Sequence, residues 1–364
     1  DPEPVKPRKR QLTAEEEFTG VPTDSESEPA PAEPTPEPEP VPEPEPGRTL
    51  AVAFADANEF VPPGPSQRRS ATGPLDHLPP PLQQAFSPGV AFSPVAVPEE
   101  GDWLDRVYER GQTYAEYLKL PGHIPDEQRD TLYFLPIGQF PNGLVVEEER
   151  TVLVRSPEMK LLADHAERYF GLKTAILPAV EIEALNPKTR NVDGRTQYRT
   201  VDLLSRIRPL LPADGYSVIA LTNEDLFTES GQEFSFGYAS LNARVGVYSF
   251  ARFDPQFSGE PRGPDFRQVI LARSLKIMTH EVGHMFGLEH CTYYSCVMNG
   301  ASDLIETDRH PLHMCPVCLR KLHGAVGFEP VARYLELQEY YARVELVNEA
   351  RWVADRATFI TGEY

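Results

Sequence analysis

Residues 280–290 read HEVGHMFGLEH, and no other stretch of the chain restricts its folding as much. His280 and His284 share a face only on an α-helix, where positions four apart lie one above the other. Gly287 supplies the backbone freedom for a sharp turn, and that turn would bring His290 back toward the first two histidines. The stretch therefore predicts a long helix over residues 265–286, with Pro264 and Asp265 as start signals and Gly287 as the stop. Two imidazoles one helical turn apart can both reach a Zn²⁺ ion at about 2.0–2.1 Å, and His290 would be the third ligand. Three protein ligands leave one coordination position open, as catalytic rather than structural zinc sites do. Glu281, beside the first histidine, can then act as general base on a water that the metal acidifies to a pKa of roughly 7. Histidines on helices are more often surface or satisfied core residues. The third histidine and the glycine make that alternative much weaker here.

The four cysteines are Cys291, Cys296, Cys315 and Cys318. Their pattern, Cys-x₄-Cys and then Cys-x-x-Cys, offers two close thiolate pairs joined by a loop, as in tetrahedral Cys₄ zinc sites. Two disulfides or four free thiols are the alternatives. The gathering of every cysteine into one short stretch favours a structural zinc. Two zinc ions per chain are thus expected, one catalytic and one structural. His310, His313 and His323 are expected to be surface or outer residues near the cysteines. Tyr293 and Tyr294 are expected to pack beside the cysteine loop, and Glu224 and Asp225 to lie in a solvated turn.

The pattern resembles the metzincin signature HExxHxxGxxH followed by a methionine turn, and within it the archaemetzincins. In that family a cysteine directly follows the third histidine, then come Cys-x-Met and a downstream Cys-x-x-Cys. Here these are His290–Cys291, Cys296–Val297–Met298 and Cys315–Pro316–Val317–Cys318. The stretches MN at 298–299, CPVCLRKL at 315–322 and FGYAS at 236–240 are also similar. The likeness runs from about Trp103 to the helices after the cysteines. It implies a twisted sheet above a long active-site helix, a smaller helical C-terminal part, and Met298 as the methionine turn beneath the zinc.

Upstream, hydrophobic periodicity predicts a helix over residues 102–118, a strand at Thr131–Ile137, and a helix over 156–170 stopped by Gly171. A strand at residues 173–177, a short helix over 201–211 and a buried strand at 216–221 follow, then a strand pair at 234–236 and 244–253. After the cysteines come a helix starting near Cys315 and another over residues 330–356. The alternation predicts a mixed α/β (α+β) fold, a mixed sheet packed on helices. Residues 1–47 hold 13 of the chain's 38 prolines and read as a disordered, extended Pro/Glu-rich tail. Residues 48–97 read as a weakly structured Pro-rich segment draped over the domain, with apolar patches at 52–60 and 82–92. Residues 98–364 read as the zinc peptidase domain.

The formal charge of −20 argues against nucleic acid and anionic membrane surfaces as partners. The basic run Lys6, Arg8, Lys9, Arg10 could serve as a nuclear signal but reads better as a solvated cluster. No apolar run is long enough to span a membrane. Together these features predict zinc-dependent hydrolysis of peptide or protein substrates by a monomer in the cytoplasm, with nuclear access as a further option. The main alternative is a non-catalytic, zinc-stabilised protein-interaction module. A zinc deacetylase is a weaker one.

Overall fold

The computed structural model describes residues 60–122, 124–138, 140, 156–228, 233–240 and 243–362. The Pro/Glu-rich tail, its basic run and the patch at 52–59 lie outside the described residues. The described residues start with four short helices, α1 (Pro65–Thr72), α2 (Pro80–Ala85), α3 (Trp103–Arg106) and α4 (Tyr114–Tyr117), and then strand β1 (Thr131–Ile137). Next come α5 (Met159–Phe170), β2 (Lys173–Ile176), α6 (Ile182–Leu185), β3 (Thr189–Val192), β4 (Arg195–Arg199), α7 (Thr200–Ile207), β5 (Gly215–Thr222) and β6 (Asp225–Phe227). The chain continues through β7 (Gly237–Ser240), β8 (Val245–Ser249), α8 (Phe266–Met285), α9 (Leu304–Arg309), α10 (Pro316–Val326), α11 (Pro330–Arg343) and α12 (Val347–Thr361).

The main sheet has the order β2-β1-β5-β8-β7. Its first four strands are parallel and β7 runs antiparallel along β8. Every residue of β5 and β8 is buried, as expected of parallel strands covered on both faces. On one face, α6 and α7 bury Leu185, Leu203 and Ile207 against Val218, Ala220 and Val247. On the other lies the larger core of α5, α8 and the C-terminal helices. Edge strand β7 is half-buried throughout and contacts α8. A small second sheet, β3-β4-β6, begins with a hairpin whose turn residues Asp193 and Gly194 have φ of 51° and 81°. This is the Asp-Gly type I′ turn that matches strand twist.

The mixed α/β expectation holds, with corrections at several elements. Residues 102–118 form two short helices instead of one. Val107 is extended at φ −128°, ψ 120°, and Gly111 has φ 75°. The second helix starts where Thr113 and Glu116 cap each other's backbone amides, a capping box. The expected helix over 330–356 is also two, because Glu345 at φ 61° stands between α11 and α12. The expected strand pair at 234–236 and 244–253 is instead β7 and β8. The solvated turn is overturned at Asp225, which is 5% exposed and pairs with Arg252 Nη2 at 2.7 Å and Gln197 Nε2 at 2.7 Å, whereas Glu224 is a half-buried bend residue.

The described part of segment 48–97 carries α1 and α2 rather than irregular chain, and basic side chains pin both. Arg356 of α12 is 1% exposed, and its Nη2 donates to the carbonyls of Gln84, Ala85 and Ser87 at 2.8, 3.0 and 2.6 Å. Arg320 of α10 donates to the Thr72 carbonyl. Each cation thus places charged donors on carbonyls at a helix C-terminus, where the macrodipole favours positive charge. Ser295 N also donates to Ser93 O at 3.0 Å, tying the segment to the cysteine loop.

His165 of α5 is fully buried, with Nε2 3.0 Å from Tyr341 Oη and Nδ1 unpartnered. Burial first, then the neighbouring Arg333 charge, pushes its pKa down to about 3, against a weaker opposing pull from Asp164. Between pH 6.5 and about 3 the unfolded chain therefore binds a proton that the folded chain refuses. In that window stability falls as pH falls, by up to about 1.4 kcal/mol per pH unit from this group. Denaturant unfolding at pH 7, 6 and 5 should show wild type losing stability relative to His165→Gln as pH falls. Parallel pH dependences for the two proteins would show that His165 does not carry this linkage.

Candidate metal centre and active site

Helix α8 ends where the sequence predicts. Gly287 adopts φ 86°, Leu288 N bonds back to Gly283 O at 3.1 Å, and the chain returns His290 to the helix. The ligand atoms of His280, His284 and His290 all lie within 4.8 Å of one another, with His280 Nε2 3.0 Å from His284 Nε2. Tetrahedral donors at zinc–nitrogen distances near 2.05 Å stand about 3.3 Å apart, so this set fits one zinc ion.

The opposite ring nitrogens fix the orientation. His280 Nδ1 lies 2.9 Å from Val297 O and His284 Nδ1 lies 2.7 Å from Leu288 O. A carbonyl only accepts, so each Nδ1 carries the proton and each Nε2 presents its lone pair to the centre. Burial pushes His284 down to about 3 and His280 well down too, with neighbouring histidines adding to both. Neutral imidazole is the form that binds metal. Glu281, buried beside them, is pushed up to about 8 by burial alone. A dication nearby would draw it back down.

Glu281 also borders the sheet edge. A Cβ built on Gly237 of β7 would stand 2.7 Å from Glu281 Oε1. The glycine of FGYAS is thus required by close approach, and the edge strand runs directly past the carboxylate.

The four cysteine sulfurs form one cluster rather than two pairs. Their Sγ atoms lie within 4.8 Å of one another, and all four residues are buried. Cys291 Sγ is 3.5 Å from Cys315 Sγ, across the two sequence pairs. Sulfurs bound to zinc at 2.3 Å stand about 3.8 Å apart, so the cluster fits a Cys₄ zinc. Without a cation, burial pushes the Cys296 and Cys315 thiols well up, and four thiolates could not share this space. Backbone N–H groups of Met298 and Cys315 point at Cys296 Sγ at 3.5 and 3.2 Å, which favours its charged form.

The loop between the two clusters is wired by Asn299, which the sequence reading did not single out. Its Oδ1 accepts from Cys296 N at 2.7 Å, and its Nδ2 donates to the carbonyls of Cys291 and Tyr294 at 2.6 and 3.0 Å. Met298 is fully buried against the helix face between the first two histidines. A Cβ on Gly283 would meet its Sδ at 2.5 Å and its Cε at 3.0 Å. In an ordinary mid-helix position Gly→Ala gains about 1 kcal/mol of helix propensity. Here Gly283→Ala should instead destabilise, because overpacking costs about 1–3 kcal/mol. It should also loosen the Val297 carbonyl that holds His280. A denaturant midpoint above wild type would refute this packing account.

His310, His313 and His323 belong to neither donor group. His313 stacks on Trp352 at 3.6 Å and His323 meets Phe86 edge-on. Tyr293 and Tyr294 are buried beside the cysteine loop. Two further residues were missed at the site: Glu109, whose Oε1 is 2.8 Å from His290 Nδ1, and Gln112, whose Nε2 donates to Gly287 O at 3.1 Å.

A family model described as peptidase family M54 matches residues 181–324. Archaemetzincin-2 of Macaca fascicularis is 30% identical over 312 residues, covering 77% of this chain and 80% of that protein. The chain belongs to the archaemetzincins. Archaemetzincin-1 of Mus musculus is 30% identical over 292 residues, covering 71% of this archaemetzincin and 56% of the relative. The crystal structure of an archaemetzincin from Methanopyrus kandleri aligns with a TM-score of 0.40 at 26% identity, over 56% of this chain and 99% of that one. As a member of this family the protein is a zinc metallopeptidase, and its substrates are peptides or proteins. Among the described residues no helix is long and apolar enough to cross a membrane.

Proposed function

We propose that this archaemetzincin hydrolyses peptide bonds at His280, His284 and His290, with Glu281 as the general base. The convergence of three histidine ligand atoms beside a buried carboxylate that borders strand β7 at the sheet edge is the observation that carries this reading. Zinc held by the three histidines would supply Lewis-acid polarisation of the scissile carbonyl, would acidify water, and would stabilise the developing oxyanion. Glu281 takes the proton of the attacking water and later delivers it to the leaving amine. Among the described residues strand β7 ends the sheet, so its outer edge can take an extended substrate as a further strand. That places the substrate backbone alongside Gly237 and within reach of Glu281.

Cys291, Cys296, Cys315 and Cys318 hold a second, structural zinc, so that two ions are bound per chain, and Met298 forms the methionine turn. Residues 98–364 constitute the peptidase domain. The protein acts as a monomer, away from nucleic acid and membranes, in the cytoplasm with nuclear access. The acidic charge and the absence of any cysteine outside the cluster support this setting.

Incubation with a mixed peptide library, with and without a chelator, tests the proposal by mapping products. Chelator-sensitive cleavage is expected. A pure, two-zinc protein that cleaves no peptide would favour the interaction-module reading instead.

A further inference from the structure

The three histidines are not held alike. His280 and His284 give their Nδ1 protons to neutral backbone carbonyls. His290 gives its own to a carboxylate, Glu109 Oε1, at 2.8 Å. Both side chains of that pair are nearly inaccessible, 7% and 9% exposed. The other carboxylate oxygen, Glu109 Oε2, is buried with no hydrogen-bond partner. Among the described residues no Lys or Arg side chain pairs with Glu109. A buried carboxylate without a counter-charge costs several kcal/mol, and the compensation within reach is the His290 ring and the cation that ring would hold.

We propose that Glu109 is the positioning residue of the third histidine. By accepting the Nδ1 proton it fixes the tautomer and the ring orientation that aim His290 Nε2 at the metal. The inference rests on the reading of His290 as a zinc ligand. Glu109 lies 181 residues before His290 in sequence and outside the stretch matched by the family model, residues 181–324.

The segment that carries Glu109 is built to hold it there. Gln112 Nε2 donates to Gly287 O at 3.1 Å and Tyr117 Oη to Phe286 O at 3.0 Å. Both bonds fasten residues 112–117 to the end of α8, where the chain turns toward His290. On the other flank the Trp103 ring meets the His290 ring edge-on at 5.2 Å. Its backbone N–H donates to both carboxylate oxygens of Glu306 at 3.0 Å. Gly300 leaves the room, since a Cβ there would stand 2.4 Å from Trp103 Cδ1. The third ligand is thereby clamped from the polypeptide that precedes the sheet, whereas the first two are clamped by the loop and turn that follow them.

The full-length protein, its Glu109→Gln, Glu109→Ala and His290→Ala variants, and a competing chelator of known zinc affinity test this. Loss of a carboxylate partner of a metal-bound histidine typically costs 10–100-fold in metal affinity. Glu109→Gln keeps an acceptor but removes the charge, so about a 10-fold loss at the histidine site is expected. Glu109→Ala removes both, and up to about 100-fold is expected. Zinc at the cysteine cluster should stay as in wild type, and so should the thermal midpoint of Glu109→Gln when both proteins are compared with the histidine site empty, which separates positioning from general stability. If Glu109→Ala fails to fold, Glu109→Gln alone decides. Wild-type zinc affinity in the Glu109 variants, with zinc lost in His290→Ala, would overturn the role of Glu109 and leave the ligand set intact. Wild-type affinity in His290→Ala as well would overturn both.

Discussion

Glu281→Gln should abolish nearly all peptide cleavage while leaving the metal and the fold in place. Glutamine has nearly the same shape as glutamate but cannot take a proton from water, and loss of general-base action is worth about 10²–10⁴ in rate. The loss should lie at the upper end, because the same group is proposed to protonate the leaving amine. Fold and metal should persist because Glu281 belongs to neither donor group. Burial alone already drives its carboxyl up toward the neutral form, so a neutral amide fits the same space. The comparison uses a peptide first shown to be cleaved by wild type, with zinc content measured in parallel. Equal, chelator-sensitive rates in the two proteins would refute the mechanism.

Replacing Cys315 or Cys318 by serine should remove one zinc of two and lower stability by several kcal/mol. Structural zinc contributes directly to folding, with apparent binding energies of about 10–16 kcal/mol in zinc-finger peptides. The site here links three parts of the chain: the segment directly after His290, the Met298 loop, and the N-terminus of α10, where Cys315 is the cap and Cys318 lies in the first turn. Activity should fall too, since Val297, whose carbonyl holds His280, sits between Cys296 and Met298. Elemental analysis and a thermal midpoint for each variant decide the matter. One zinc in wild type, or an unchanged midpoint in both variants, would rule the Cys₄ site out.

Much of the candidate site was legible in the sequence because its geometry is local. Two histidines four apart share a helix face whatever surrounds the helix, and Gly287 takes the left-handed turn that its place after α8 suggests. The cysteine spacing announced a cluster for the same reason, since each pair lies within a few residues. Gly171 at φ 67° ended α5 as expected of a C-terminal glycine. Some misses also carried local signals that were not used: Thr113-x-x-Glu116 for the start of α4 and Asp193-Gly194 for the β3–β4 hairpin.

Other features had no local signal, because tertiary packing decided them. The stripe of Trp103, Val107 and Tyr114 has helical spacing, yet the chain unwinds between them so that Glu109 can enter the site and Trp103 can lie against Gly300. Glu345 breaks the last helix in two without a glycine or proline to announce it, and α11 then packs on α12. Asp225 reads as an exposed turn residue until β6 brings it under the Arg252 guanidinium. Composition, motif spacing and the family signature were thus sufficient to point to a zinc metallopeptidase and to the two groups of candidate metal ligands. Which carboxylate holds His290, and what passes beside Glu281, depended on contacts across more than forty residues of sequence. No periodicity encodes such contacts, because their cost and gain exist only once the chain has closed on itself.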